Sequence, residues 1–170
     1  KVDETSVKHV TIRACSIWRA LELVGDVPVL LIMEQLFLRT HRFDDFVHHT
    51  GLTRASVNGR LKKLIEANVV EKYTAPPSSR QFYRLTEKGL GLYPVALMIL
   101  RWQHRWHRQD RGFTVTLTHW ACGASVEPVP SCGECNAEID PRQVDWRAGP
   151  GLKEITPIYS RRRQSGLSTA

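Results

Sequence analysis

Apolar residues recur at helical spacing through most of the first 110 positions of the chain. This period predicts five helices, over residues 12–24, 29–38, 44–49, 52–67 and 86–108. The second helix is apolar on almost every side, so we expect it to lie at the centre of the core. The last helix has two apolar faces, which is more than one small domain can bury.

The first predicted helix carries its apolar residues on one side. Ile17, Leu21 and Val24 share that side, and we expect all three to point inward. Pro28 suits the first position of the second helix, because a backbone amide at that position has no partner within the helix.

The fourth predicted helix combines an apolar stripe with a small and basic opposite face. The stripe is formed by Val57, Leu61, Leu64 and Ile65. The opposite face carries Arg54, Ala55, Ser56, Asn58, Arg60, Lys62 and Lys63. Thr53 precedes this face as the predicted N-cap. Asn, Arg and Ser side chains hydrogen-bond to base edges in the DNA major groove, and Lys and Arg bind phosphates. A solvated amphipathic helix would show the same pattern.

A β-hairpin is predicted directly after this helix. Asn68 can take the left-handed conformation that ends the helix, and strands are predicted over residues 69–73 and 81–85. Ser79 and Arg80 lie near the tip between the two strands. Two helices joined by a turn and followed by such a hairpin form a winged helix-turn-helix. The hairpin of that fold contacts phosphates or the minor groove beside the recognition helix.

Six short motifs lie in order along this part of the chain. They are Cys15-Ser16-Ile17-Trp18, Gly25-Asp26, Leu30-Leu31-Ile32, Arg42-Phe43-Asp44-Asp45-Phe46, Leu61-Lys62-Lys63-Leu64 and Tyr83-Arg84-Leu85-Thr86-Glu87-Lys88-Gly89. In this combination they resemble the HxlR family of winged-helix transcriptional regulators. The chain departs from the family at Pro28, where Trp is usual, at Asn68, where Gly is usual, and at Gly59. Gly59 costs up to about 1 kcal/mol relative to Ala, and close approach to DNA or simple tolerance would explain it.

The resemblance implies a bacterial, sequence-specific regulator of double-stranded DNA that acts as a homodimer on two half-sites and represses by covering promoters. We therefore predict DNA contacts from Arg42, Thr53, Arg54, Ala55, Ser56, Asn58, Arg60, Lys62, Lys63, Ser79 and Arg80.

The long fifth helix is the predicted dimer interface. One of its faces carries Leu90, Tyr93, Leu97 and Leu100, and the other carries Val95, Ile99, Trp102 and Trp106. Burial against the C-terminal segment is the alternative to a dimer. We expect Pro94 to kink this helix near its start.

Composition agrees with a nucleic-acid partner. The 170 residues include 24 Lys and Arg against 17 Asp and Glu, a formal net charge of +7 at pH 7, which favours an acidic partner. The longest apolar run, residues 92–100, is far shorter than the roughly 20 residues that span a bilayer, and no signal peptide is recognisable. We therefore expect a cytoplasmic protein. No grouping typical of a catalytic site is visible, so we expect no enzyme, and Asp44 and Asp45 are interpreted as solvated helix surface.

Short strands and turns after residue 115 carry two pairs of metal-ligand residues. His119 and Cys122 form one pair, Cys132 and Cys135 form the other, and two residues separate the members of each pair. Thiolate and imidazole at this spacing suit a structural, tetrahedral zinc site of the zinc-ribbon type. A C-x-x-C pair can also be a redox pair, although no βαβ pattern surrounds this one. A histidine on a strand can also be an ordinary surface residue, in which case three cysteines remain.

Two further functions stay open. Cys15 matches the position of a family cysteine that senses electrophiles in some members, so the resemblance allows a thiol-based redox sensor, and a small-molecule effector is compatible with it. A buried, inert thiol is the ordinary state of a cysteine beside an apolar helix. The other alternative is a zinc-ribbon adaptor that binds proteins and not DNA.

The sequence thus predicts an α+β protein with four parts. A flexible arm over residues 1–11 precedes a winged helix-turn-helix and dimerisation domain over residues 12–110. A zinc-ribbon-like β domain follows over residues 114–146. A linker and basic tail, residues 147–170, complete the chain, and its arginines can be solvated or can bind phosphates.

Overall fold

The structure, a computed structural model, describes residues 16–77, 79–106 and 115–145. The predicted N-terminal arm, the candidate sensor Cys15 and the basic tail that contains Arg161, Arg162 and Arg163 lie outside the described residues.

The chain divides into two units, one formed by Lys1–Asp26 with Val144–Ala170 and the other by Val27–Gln143. The described part of the first unit is mainly helix α1 (Ser16–Val24). Val24 is buried as predicted, but Ile17 is 71% exposed and Leu21 is 51% exposed, so their predicted inward orientation is wrong for the single chain. Apolar spacing identifies an amphipathic helix but not the surface that covers it.

The second unit contains the remaining elements. In chain order they are α2 (Val27–Phe37), α3 (Phe43–Thr50), α4 (Arg54–Glu66), β1 (Val70–Thr74), β2 (Gln81–Leu85), α5 (Glu87–Leu90), α6 (Tyr93–Trp106) and a 3₁₀ turn (Pro141–Gln143). None of the helices in the described ranges is both long and apolar enough to cross a lipid bilayer.

Helix α2 lies at the centre of the core, as its apolar composition predicts. It packs against α3, α4 and β2. The buried apolar residues of this unit are Val29, Ile32, Met33, Leu36, Phe46, Val57, Leu61, Leu64, Val69, Val70 and Tyr83. Helix α2 begins one residue before Pro28, so this proline takes the second helical position, where a missing amide hydrogen costs no bond either.

Local sequence sets the turn between α3 and α4. Gly51 ends α3 in the left-handed conformation, at φ 67°, and its amide donates to the carbonyl of Val47. Thr53 then begins α4 as its N-cap, because its side-chain oxygen accepts a hydrogen bond from the amide of Ser56 at 3.2 Å.

Helix α4 ends in a Schellman motif. Asn68 adopts φ 55°, its amide donates to the carbonyl of Ile65, and the next amide, of Val69, donates to the carbonyl of Leu64. The left-handed conformation predicted for Asn68 is therefore confirmed. This turn aims the chain directly into β1.

Strands β1 and β2 form the predicted antiparallel hairpin. Val70 is paired with Leu85 at its base, and Thr74 is paired with Gln81 near its tip. β1 lies one residue later than predicted, and β2 occupies the predicted positions.

The long helix predicted over residues 86–108 is interrupted. α5 is a single turn capped by Thr86, whose side chain accepts from the amide of Gly89, and α6 starts afresh at Tyr93. The predicted kink at Pro94 is therefore a break that precedes it. Gly91 has a low helix propensity, and Pro94 provides no amide hydrogen for the carbonyl of Leu90 and clashes with a continuous helix there. At the second position of α6, this proline is tolerated.

Candidate nucleic-acid interface

Helix α4 is held so that one side faces the core and the other faces solvent. Val57, Leu61 and Leu64 are buried, which fixes the rotation of the helix about its axis. The Thr53 cap at one end and the Schellman motif at the other fix its length. The fourth predicted stripe residue, Ile65, is only half-buried.

The residues predicted to contact DNA lie on the outer side of this unit. Arg42, Thr53, Arg54, Ala55, Asn58, Lys62, Ser79 and Arg80 are exposed. Ser56, Arg60 and Lys63 are half-buried. Helix α4 and its N-cap therefore present small, hydrogen-bonding and basic side chains together, whereas Arg42 lies just before α3 and Ser79 and Arg80 lie on the hairpin loop.

Arg54 has a partner that sequence analysis missed. Its Nη1 atom donates to Oδ1 of Asp44 at 2.6 Å, and its guanidinium lies 4.9 Å from the ring centroid of Phe43. Asp44 is therefore exposed, in agreement with its interpretation as solvated helix surface, and it is also ion-paired across the helix-turn-helix. Both side chains are exposed, so the pair is weak and can open when DNA competes for the guanidinium.

Gly59 lies in open space on the exposed side of α4. A Cβ atom added there would have no heavy atom within 4 Å beyond its immediate surroundings. Packing within the protein therefore does not require a glycine. Lys62, one helical turn from Asn58, is only loosely paired with Glu66, with 3.9 Å between Nζ and Oε1.

The hairpin is anchored to the segment between α2 and α3 by His41. Its carbonyl accepts from the amide of Tyr83 at 2.8 Å, and its Nδ1 lies 2.9 Å from the carbonyl oxygen of Tyr83. The His41 ring also meets the Tyr73 ring edge-on at 6.3 Å. Burial raises the pKa of the Tyr83 phenol, so this ring stays neutral at ordinary pH. The hairpin is thus held against the helix-turn-helix by contacts on both strands.

The hairpin surface is further ordered by Arg84. This side chain donates to Glu71 Oε1 at 2.6 Å across the strand pair and lies 5.0 Å from the ring centroid of Tyr73. Tyr73 in turn packs against Phe82 with 5.6 Å between ring centroids. These contacts link the two strands that lead to the loop with Ser79 and Arg80.

The predicted metal ligands are brought together only in pairs. His119 Nδ1 lies 3.4 Å from Cys122 Sγ. In the second pair, backbone amides of Cys135 and Glu134 donate to the Cys132 sulfur and lower the pKa of its thiol, with a further contribution from the Cys135 side chain. No three His, Cys, Asp or Glu residues within the described ranges lie close enough to hold one metal ion.

The fold agrees with comparisons to known proteins. Residues 23–111 match the family described as HxlR-like helix-turn-helix. The chain belongs to this family. It is 34% identical over 140 residues to the HTH-type transcriptional regulator Rv3095 of Mycobacterium tuberculosis and equally to Mb3122 of Mycobacterium bovis, both named as uncharacterized. Each alignment covers 81% of this chain and 88% of the relative. The protein is thus a DNA-binding transcriptional regulator of the HxlR type, and the matching family is not a catalytic one.

Two solved structures share the fold. PA1607, assigned as a transcription factor, superposes with a TM-score of 0.72 at 26% identity, over 79% of this chain and 95% of its own. PA1374 of Pseudomonas aeruginosa, also assigned as a transcription factor, gives a TM-score of 0.53 at 28% identity, over 80% of this chain and 93% of its own.

The alignments to Rv3095 and Mb3122 extend beyond the family match. Each spans 140 residues, whereas the family match ends at residue 111, so part of each alignment lies in the C-terminal segment.

Proposed function

We propose that this HxlR-type regulator is a homodimeric, sequence-specific repressor that places α4 of each copy in the major groove of one half-site. The hairpin of each copy contacts the neighbouring backbone. The single observation that carries this proposal is the outer side of α4, where a capped and rigidly packed helix exposes hydrogen-bonding and basic side chains around an unobstructed Gly59.

The division of labour follows from side-chain chemistry. Asn58 lies in the middle of the exposed side and carries an amide, which can form two hydrogen bonds with adenine. Lys62, at the next turn, and Arg80, on the hairpin loop, carry positive charges suited to phosphates. We therefore assign base contacts to Asn58 and, once it leaves Asp44, to Arg54.

The proposed dimer interface is helix α6. This helix of 14 residues has no buried residue in the single chain. Ile99 is 50% exposed, Trp102 is 57% exposed and Trp106 is 65% exposed. Large apolar side chains in such a row are typical of protein interfaces. A second copy, related by a twofold axis, offers the same surface in return and presents a second α4 to the next half-site.

A binding assay with DNA from upstream of the protein's own coding region tests this function. We expect a retarded complex that survives excess random DNA and weakens steeply with salt, together with a footprint of two half-sites about one helical turn apart. In vitro transcription from the same fragment should decrease as the protein is added. Equal affinity for operator and random DNA would contradict sequence-specific binding, and increased transcription would contradict repression.

A further inference from the structure

The C-terminal segment contains the same small hairpin twice. The first spans residues 118–125 and the second residues 131–138, and each is closed by an antiparallel bridge, Thr118 with Ser125 and Ser131 with Glu138. We call them the first and the second knuckle.

The two knuckles share their backbone hydrogen bonds position by position. In the first, the amide of His119 donates to the carbonyl of Ala124 at 2.9 Å, and the amide of Gly123 donates to the carbonyl of His119 at 2.8 Å. The bonds at the equivalent positions of the second knuckle are Cys132 to Ala137 at 2.9 Å and Asn136 to Cys132 at 2.9 Å.

The repeat extends to the backbone conformation that follows each ligand pair. Gly123 has φ 70° and Asn136 has φ 57°, so the chain turns back in the same left-handed way after Cys122 and after Cys135. Outside each bridge, a further bond joins Val126 to Leu117 and Ile139 to Pro130. The two sequences are identical only at Cys122 and Cys135 and at Ala124 and Ala137, yet they adopt one conformation, and each carries a potential metal ligand at the first and fourth positions of its turn.

We propose that the two knuckles bind one Zn²⁺ ion through His119, Cys122, Cys132 and Cys135. Three thiolates and one imidazole form a tetrahedral set that leaves no position open for a catalytic water, so the site is structural. The knuckles stand as separate pairs in the described structure. Ion binding would draw them together, and the five residues between them, with two prolines, keep the second pair near the first.

The alternative chemistry is a redox pair formed by Cys132 and Cys135. Such a pair needs one C-x-x-C turn and no partner. It would leave the matching His119–Cys122 turn, with its own 3.4 Å approach of imidazole to sulfur, without a role. The duplicated geometry therefore favours a shared metal ion.

Each knuckle contacts the winged-helix part of the same unit. The ring of Trp120, in the first knuckle, lies 4.7 Å from the guanidinium of Arg39, two residues after the end of α2. Glu138, in the second knuckle, accepts a hydrogen bond from Arg101 of α6 at 2.7 Å. One ion that joins the knuckles would therefore also connect the end of α2 to α6, so its removal should loosen α6 without unfolding the core.

Metal analysis of the full chain, purified under reducing conditions with zinc supplied, tests the proposal. We expect about one zinc per chain after dialysis against metal-free buffer. Cys122→Ser, Cys132→Ser and Cys135→Ser should each lose most of it, whereas Cys15→Ser should retain it. His119→Ala should weaken binding, and His48→Ala is its matched control because this histidine lies on α3 and belongs to neither knuckle.

Two further measurements keep the test independent of variant folding. In wild-type protein, Co²⁺ in place of zinc should give the absorption of a tetrahedral thiolate complex, and chelation should increase hydrogen exchange in residues 115–145 while the core helices stay protected. A reduced chain that takes up neither metal would overturn the proposal. A content of one zinc per two chains would also overturn it, since the ligands would then come from two copies.

Discussion

Arg54 and Asp44 are ten residues apart, on different helices, and form an ion pair of 2.6 Å across the helix-turn-helix. The sequence does not indicate this ion pair, because a separation of ten residues corresponds to no helical spacing and to no turn motif. The cap at Thr53 and the left-handed Asn68 were predictable, since each depends on the chemistry of a few neighbouring residues. Residue-scale structure is thus predictable where its cause is local.

The ion pair leads to a prediction for Asp44→Asn. Loss of the carboxylate should release Arg54 and increase affinity for operator DNA by up to about fivefold, because an exposed pair contributes up to about 1 kcal/mol. Asp45→Asn is the matched control, with the same charge change on the next residue. Fluorescence anisotropy at fixed salt would measure both. Equal gains in the two variants would show that net charge, and not release of Arg54, is responsible.

The variant Gly59→Ala distinguishes an effect of this residue on protein stability from an effect on DNA binding. Because the added methyl group meets open space, the free energy of unfolding should increase by up to about 1 kcal/mol, measured by urea denaturation. Affinity for operator should decrease about tenfold, equivalent to about 1.4 kcal/mol, since the same methyl group would meet DNA. A more stable variant with unchanged affinity would mean that this glycine is tolerated and has no role in binding.

Elements of the winged helix were predictable in type and order, and their boundaries were displaced by one or two residues at most positions. Their type and order were predictable because periodic apolar residues indicate helices and strands, and turn-forming residues indicate where these end. The exception is the break between α5 and α6, where Gly91 and Pro94 act together and the helical period continues across both. Apolar periodicity does not reveal such a break, because it reports which side of a helix is apolar and not whether the helix is continuous.

The exposed apolar row on α6 leads to a prediction for Ile99→Glu. Ile99→Glu places a charge in the middle of the exposed apolar row and should convert a dimer to a monomer, with a molar mass by light scattering of one chain at micromolar concentration. Gln81→Glu, the introduction of an acidic residue at an exposed position of β2 outside the proposed interface, is the control and should remain dimeric. A wild-type protein with the mass of a single chain would contradict the proposed interface.

Contacts between residues that are far apart in the sequence are not encoded in any local sequence pattern. Trp120 stacks with Arg39 across about eighty residues, and Arg101 binds Glu138 across 37 residues. The sequence predicted the ligand spacing of the knuckles but not where they attach. The exposure of Ile17, of Leu21 and of the apolar row on α6 belongs to the same class, since an apolar pattern does not identify the surface that covers it.

In the proposed complex, α4 recognises the DNA sequence and the hairpin binds the DNA backbone. Parallel titrations of operator and random DNA with Asn58→Ala and Arg80→Ala, across a range of salt concentrations, distinguish these two roles. Asn58→Ala should lose about 1 to 3 kcal/mol on the operator, relax preference at one base pair and leave random DNA almost unchanged. Arg80→Ala should weaken binding to operator and random DNA alike. It should also reduce the slope of log affinity against log salt concentration by about one. The opposite result would be a loss of operator preference in Arg80→Ala, together with an equal loss of affinity for operator and random DNA in Asn58→Ala. It would show that the hairpin, and not α4, recognises the sequence.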